Sequence, residues 1–185
     1  MNKKKKSTAE ETFVLAFQNH KKNNLQIAEN LYKEVLKTNP NHFKSIYYLG
    51  TLLAQTQRFD LAKPLLHKAI QIQPNYVLTH NNLGNVLKEL GEHQKAISSY
   101  EKAIQINPNY VLAYNNLGNV FGELNEFNKS ANYYEKALKL DPNRKETCGG
   151  YGNLLLKFNQ HAKALSYIKK STGFISFTQK DFKII

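Results

Sequence analysis

A chain of 185 residues with 41 % apolar content is long enough for a folded domain, and its single cysteine, Cys148, excludes an intrachain disulfide. No apolar run approaches the roughly 20 residues that cross a membrane, and the Phe13 to Phe17 run after the basic start is short for a signal peptide, so a soluble cytoplasmic protein with no membrane partner is expected. The net charge of +12 lies at the ends: residues 1–42 carry eight Lys against four Glu, 43–76 four basic residues against one acidic and 145–185 seven against two, while 77–144 is balanced. A basic stripe that would track a nucleic-acid backbone is absent from this distribution, and nucleic acid is not an expected partner.

Residues 1–8 read as a basic disordered tail. From residue 9 the chain repeats. Pro40, Pro74, Pro108 and Pro142 stand 34 residues apart, each followed by Asn, and QIQPNYVLTHNNLGNVLKELGE (71–92) is nearly copied as QINPNYVLAYNNLGNVFGELNE (105–126). The units run over about 9–42, 43–76, 77–110, 111–144 and 145–170, and each reads as two helices. In the third, Leu83, Val86, Leu87 and Leu90 make one amphipathic face and Ala96, Ile97, Tyr100, Ala103 and Ile104 another.

The column Asn23, Gln57, Gly91, Asn125 and Asn159 falls at the break between the two helices and suits a left-handed cap, with Gln57 its least suited member. Asn41, Asn75, Asn109 and Asn143 are expected to cap the following helices. Small residues recur in both helices, Ala16, Gly50, Gly84, Gly118, Gly152 in the first and Ala28, Ala62, Ala96, Ser130, Ala164 in the second, which lets the axes approach closely. Pro64 lies early in a second helix, where a lost N–H costs least. Residues 171–185 form a tail in which FISF and FKII flank TQKD. That tail is expected to fold as a β-hairpin cap or to begin a further domain.

The pattern Leu-Gly, a later aromatic, two small residues and a closing Pro resembles the tetratricopeptide repeat family over about Ala9 to Lys170. The first unit departs with Leu15-Ala16, and the fifth with Tyr151-Gly152, Ser171 and no closing Pro. The resemblance implies an all-α, right-handed superhelical solenoid of about five antiparallel helix hairpins.

No catalytic constellation appears: there is no phosphate-binding Gly loop, and the six His (20, 42, 67, 80, 93, 161) lack a metal-ligand spacing with Cys148. No enzyme activity, cofactor or metal is expected. The family resemblance places the first helix of each unit along a concave groove, which implies that Asn81, Asn82, Asn85, Asn115, Asn116, Asn119 and Asn153 face or border it. Asn is a poor residue inside helices, so its recurrence there asks for a compensating role, and a carboxamide can pair with both the C=O and the N–H of a peptide backbone. The alternative is that the amides only reflect an Asn-rich composition. Asn82, Asn85, Asn116 and Asn119 are similar to the peptide-binding Asn ladder of the O-GlcNAc transferase repeats; the Lys and Arg companions of a carboxylate clamp are missing. Phe13, Phe17, Tyr47 and Tyr48 occupy the corresponding positions at the N-terminal end, either packed on the second unit or exposed as an apolar anchor.

The expected function is a protein–protein interaction scaffold that binds an extended peptide segment. The alternative is an adaptor region of a larger transferase, hydroxylase or methyltransferase. Self-association through the C-terminal end is a further expectation. Asn82→Ala with Asn116→Ala is expected to weaken peptide binding and to leave melting nearly unchanged.

Overall fold

The computed structural model describes residues 8–173 and the strand segments Ser176–Phe177 and Phe182–Lys183; residues 1–7 of the basic tail and the rest of residues 174–185 lie outside the described residues. Among the described residues ten helices follow in order: α1 (Ala9–Lys21), α2 (Leu25–Thr38), α3 (Phe43–Gln55), α4 (Phe59–Ile72), α5 (Val77–Glu89), α6 (His93–Ile106), α7 (Val111–Glu123), α8 (Phe127–Leu140), α9 (Lys145–Lys157) and α10 (His161–Thr172). After them β1 (Ser176–Phe177) pairs antiparallel with β2 (Phe182–Lys183), Phe177 opposite Phe182. Among the described residues no helix is long and apolar enough to cross a membrane.

Each hairpin turns on one left-handed residue. Asn23, Gln57, Gly91, Asn125 and Asn159 have φ of 61°, 58°, 74°, 59° and 58°. The amide after each reaches back to the last turn of the first helix, as in Arg58 N to Leu53 O at 2.8 Å and Glu92 N to Leu87 O at 2.8 Å, while the left-handed residue itself donates in Gln57 N to Ala54 O at 3.0 Å. These paired bonds are the Schellman arrangement, which satisfies carbonyls that a helix end leaves open. Gln57 adopts the conformation despite its side chain.

The second helices end where a proline follows. Asn39, Gln73 and Asp141 have ψ of 85°, 85° and 90°, outside the helical range, because the next ring disfavours the α conformation at the residue before it. The Asn residues after the prolines are not the helix caps. The cap positions are one residue later, at His42, Tyr76, Tyr110 and Arg144. Of these, His42 uses its side chain, Nδ1 accepting from Ser45 N at 3.2 Å. The Asn instead sits inside the turn, where Asn109 N donates to Asn107 Oδ1 at 3.0 Å and Asn143 N to Asp141 Oδ1 at 3.4 Å. Thr8 and Glu11 form a capping box at the start of α1, Glu11 N donating to Thr8 Oγ1 at 3.2 Å and Thr8 N to Glu11 Oε2 at 2.9 Å.

The chain divides into two compact units, residues 1–99 and 100–185, with the division inside α6. In the first, α1 packs on α2, α3 on α4, α2 on α3 and α4 on α5. Its core is made by Ala16, Ala28, Tyr32, Ile46, Leu52, Ala62 and Leu66, all without exposed surface. The two hairpins are tied by a buried carboxylate: Glu29 of α2 accepts from Arg58 Nη2 at 2.6 Å and Nη1 at 3.2 Å, and from Lys33 Nζ at 2.6 Å. The helix of Pro64 is continuous over Phe59–Ile72.

In the second unit α7 packs on α8, α8 on α9 and α9 on α10. The small-residue columns are filled by large neighbours: a Cβ at Gly118 would stand 2.7 Å from the Tyr134 ring, and one at Gly152 2.7 Å from Ile168 Cγ1. Ser130 Oγ donates to Gly118 O at 2.7 Å, so the one hydroxyl in its small column is satisfied across the hairpin. Tyr151 stands where the other units have Leu, and its hydroxyl donates to Glu135 and accepts from Lys163 Nζ at 3.3 Å. Within each unit the repeats are all-α, built of stacked antiparallel helix hairpins.

Candidate functional site

The first helices present three registered columns. Tyr47, Asn81 and Asn115 form one, Tyr48, Asn82 and Asn116 the next, and Thr51, Asn85, Asn119 and Asn153 the third. The first column is buried in the first four repeats, with Phe13, Tyr47, Asn81 and Asn115 between 4 % and 6 % exposed. Asn81 and Asn115 are therefore not surface residues of a groove; the turn of the helix aims that column inward. Asn82, Asn116 and Asn119 are half-buried, and Asn85 and Asn153 are exposed.

In the first unit Asn82 Nδ2 donates to Tyr47 Oη and to Thr51 Oγ1, both at 3.2 Å. Both N–H groups of its amide are thus engaged, and the carbonyl oxygen is the atom it can offer a ligand. In the second unit the polarity is opposite. Tyr134 Oη donates to Asn119 Oδ1 at 2.6 Å, which leaves the Asn119 NH₂ as the offered group. Burial, reinforced by the Glu123 charge, pushes the Tyr134 phenol up to about 12, so this donor stays protonated. Asn115 Nδ2 reaches Asn116 Oδ1 at 3.4 Å. Neither Thr51 nor Tyr134 is marked by the repeat pattern as an orienting partner, because the bonds they make depend on tertiary contact.

Also in the first unit, α1, α3 and the turn between α4 and α5 line a cavity of about 310 Å³. Phe13 and Phe17 line it from α1, Phe43, Lys44, Tyr47 and Tyr48 from α3, and Gln73 and Tyr76 from the turn before α5. The rings meet edge-on, Tyr76 lying at 85° to Phe43 and 83° to Tyr47, with centroids 5.1 Å apart in both pairs. The two phenylalanines of α1 divide: Phe13 is core, 5 % exposed, whereas Phe17 is half-buried with its centroid 4.8 Å from that of Tyr48. Lys21 Nζ lies 4.6 Å from the Phe17 centroid and Lys44 Nζ 5.6 Å from that of Phe13. Phe43, Lys44 and Tyr76 escape a reading of the sequence because they are scattered over three columns; only Tyr76 repeats, as Tyr110.

Among the described residues no group of three or more His, Cys, Asp or Glu is placed to hold a metal ion. Cys148 is fully buried with Sγ 3.7 Å from Pro142 O, and burial pushes its thiol up, the reverse of what a nucleophile needs. His80, in the same column, is also buried and meets Pro74 O at 2.7 Å through Nε2. Both are packing residues that close the proline turn.

Comparison with known proteins bears on the repeats themselves. Tetratricopeptide repeat models match residues 21–77, 65–98 and 111–144, and a TPR repeat model matches residues 84–125. No curated protein matches the sequence. Among solved structures, MamA shares 26 % identity over 84 % of this chain and 91 % of its own, with a TM-score of 0.74. TTC0263, a thermophilic TPR protein of Thermus thermophilus, shares 20 % over 90 % of this chain and 91 % of its own at 0.75. YrrB, described as a TPR protein with an unusual peptide-binding site, shares 19 % over 91 % and 87 % at 0.71. These likenesses concern the fold. The family matches run from residue 21 to residue 144, and the chain belongs to the tetratricopeptide repeat family.

Proposed function

We infer that this protein is a non-catalytic interaction scaffold that holds an extended peptide segment against its first helices, in the concave groove its family forms, and reads the peptide backbone through carboxamides. The observation that carries the reading is the fixed and opposite polarity of Asn82 and Asn119: one offers an acceptor and the other donors, which are the two groups a peptide N–H and C=O require. Asn116, one repeat after Asn82, and Asn85 and Asn153, in register with Asn119, extend the set; Asn81 and Asn115 back it from the interior. Tyr47 and Tyr48 border the aromatic cavity where the set begins.

Each amide bond contributes about 1 kcal/mol net, so several act together in useful affinity. Similarity to the Asn ladder of the O-GlcNAc transferase repeats and the peptide-binding site named for YrrB support the same reading. The partner is a protein segment in the cytoplasm, and self-association through the C-terminal end belongs to the same reading. The test is calorimetric titration with a peptide selected from a random display library. Asn85→Ala with Asn119→Ala should weaken binding about tenfold or more while the helical spectrum is kept; unchanged affinity would remove the amides from the site.

A further inference from the structure

We propose that the aromatic cavity of the first unit is a specificity pocket that takes one large apolar side chain of the bound segment, with an acidic residue beside it. This deepens the peptide-scaffold reading and rests on it.

Size and lining set the first half. At about 310 Å³ the cavity is at the lower limit of roughly 300 to 1,000 Å³ for ligand pockets, suited to one bulky side chain more than to a whole cofactor. Its walls are rings from Phe17, Phe43, Tyr48 and Tyr76 in edge-on and tilted contact, the kind of surface that supplies an anchoring hot spot in an interface.

Charge sets the second half. An aromatic enclosure of this type also suits a quaternary ammonium group, but here the cation positions belong to the protein: Lys21 stands over Phe17 and Lys44 over Phe13. A cationic ligand would meet these ammonium groups, whereas a carboxylate next to the anchor would be drawn to them. The acidic neighbour of Lys44 among the described residues is Glu10, at 4.0 Å, with both side chains more than half exposed, a contact too long and too wet to hold the lysine. The wider setting agrees, since residues 43–76 carry four basic residues against one acidic.

Position ties the pocket to the amides. Tyr47 lines the cavity and its hydroxyl accepts from Asn82, so the pocket and the first carboxamide share a wall within one unit. A segment whose backbone meets the Asn82 carbonyl has its neighbouring side chain beside the rings.

The experiment is an NMR titration of the full chain with three N-acetylated, C-amidated tripeptides: Glu-Phe-Glu, Lys-Phe-Lys and Glu-Ala-Glu. Glu-Phe-Glu should shift the backbone signals of Phe17, Lys44 and Tyr76 and bind about fivefold more tightly than Lys-Phe-Lys, with no saturable shift from Glu-Ala-Glu. Lys44→Glu should reverse the preference, and added salt should narrow it in the natural chain, which needs no variant to fold. Equal binding of the three, or shifts elsewhere on the chain, would overturn the pocket. The two readings separate in their outcomes: a failure of the amide set alone would show as longer peptides insensitive to the Asn85 and Asn119 variants while the tripeptide preference of the natural chain persists.

Discussion

The side-chain amide of Asn82 donates to the Tyr47 hydroxyl at 3.2 Å, joining two successive first helices through the groups proposed to meet a ligand. The same amide holds Thr51 Oγ1, also at 3.2 Å. A residue that reads as an exposed carboxamide in the sequence is therefore a structural fastener on one side and a recognition group on the other.

The first prediction separates these roles. Asn82→Ala takes this donor from the hydroxyls of buried Tyr47 and half-buried Thr51 and should lower stability by about 1 kcal/mol, against the expectation from sequence that melting is nearly unchanged. Asn153→Ala, at an exposed helical position, should be neutral or stabilise by about 0.5 kcal/mol through helix propensity. Urea unfolding of the two variants checks the difference.

A second pair of variants tests the close approach of α7 and α8. Gly118→Ala puts a methyl group 2.7 Å from the Tyr134 ring and should destabilise by about 2 kcal/mol. Gly122→Ala, in the same helix, meets only Ser130 Oγ at 3.4 Å and should stabilise by roughly 0.5 kcal/mol. Opposite shifts of the melting temperature are the expected readout.

The hairpin turns give a third. Gln57 holds φ of 58° with a full side chain, so Gln57→Gly should stabilise by about 1 kcal/mol, and Gly91→Ala should cost about the same. If Gln57→Gly were destabilising, the Gln side chain would be contributing contacts that outweigh its backbone strain.

The fourth concerns acid. Hydrogen bonds from Arg58, together with Lys33, hold the Glu29 carboxyl below its ordinary pKa of 4.5, against the opposing effect of burial. A lowered folded-state pKa means that the stabilisation is fully present above the unfolded value and is lost as pH falls through the folded one. Arg58 is 38 % exposed, so solvent screening keeps the contribution below that of a fully buried pair. Between neutral pH and about pH 3 the natural chain should lose more stability than Glu29→Gln, and parallel acid profiles would contradict the assignment.

Much of this fold is legible from periodicity because the physics is local. The residues that take the left-handed turn, Gln57 included, form one sequence column, and the small residues at Gly118 and Gly152 mark where large side chains of the paired helix pack. Helix starts are less legible: Pro-Asn looks like a cap, but the turn needs one more extended residue before the helix begins. The amide face is half legible. Its spacing is visible, but the burial of Asn81 and Asn115 depends on helix phase against a neighbour, and the partners Tyr47 for Asn82 and Tyr134 for Asn119 are tertiary. The Tyr151 departure is visible as a broken Leu column, while its bond to Glu135 is not.

Backbone reading by carboxamides is tested most directly on the ligand. A display-selected peptide would be remade with each amide N–H in turn replaced by N-methyl, and each version titrated against the natural chain. The account predicts that particular N-methyl positions lose about fivefold or more in affinity while alanine substitutions away from the aromatic anchor and its acidic neighbour cost little. Tolerance of N-methylation at every position, with affinity following the side chains instead, would contradict it.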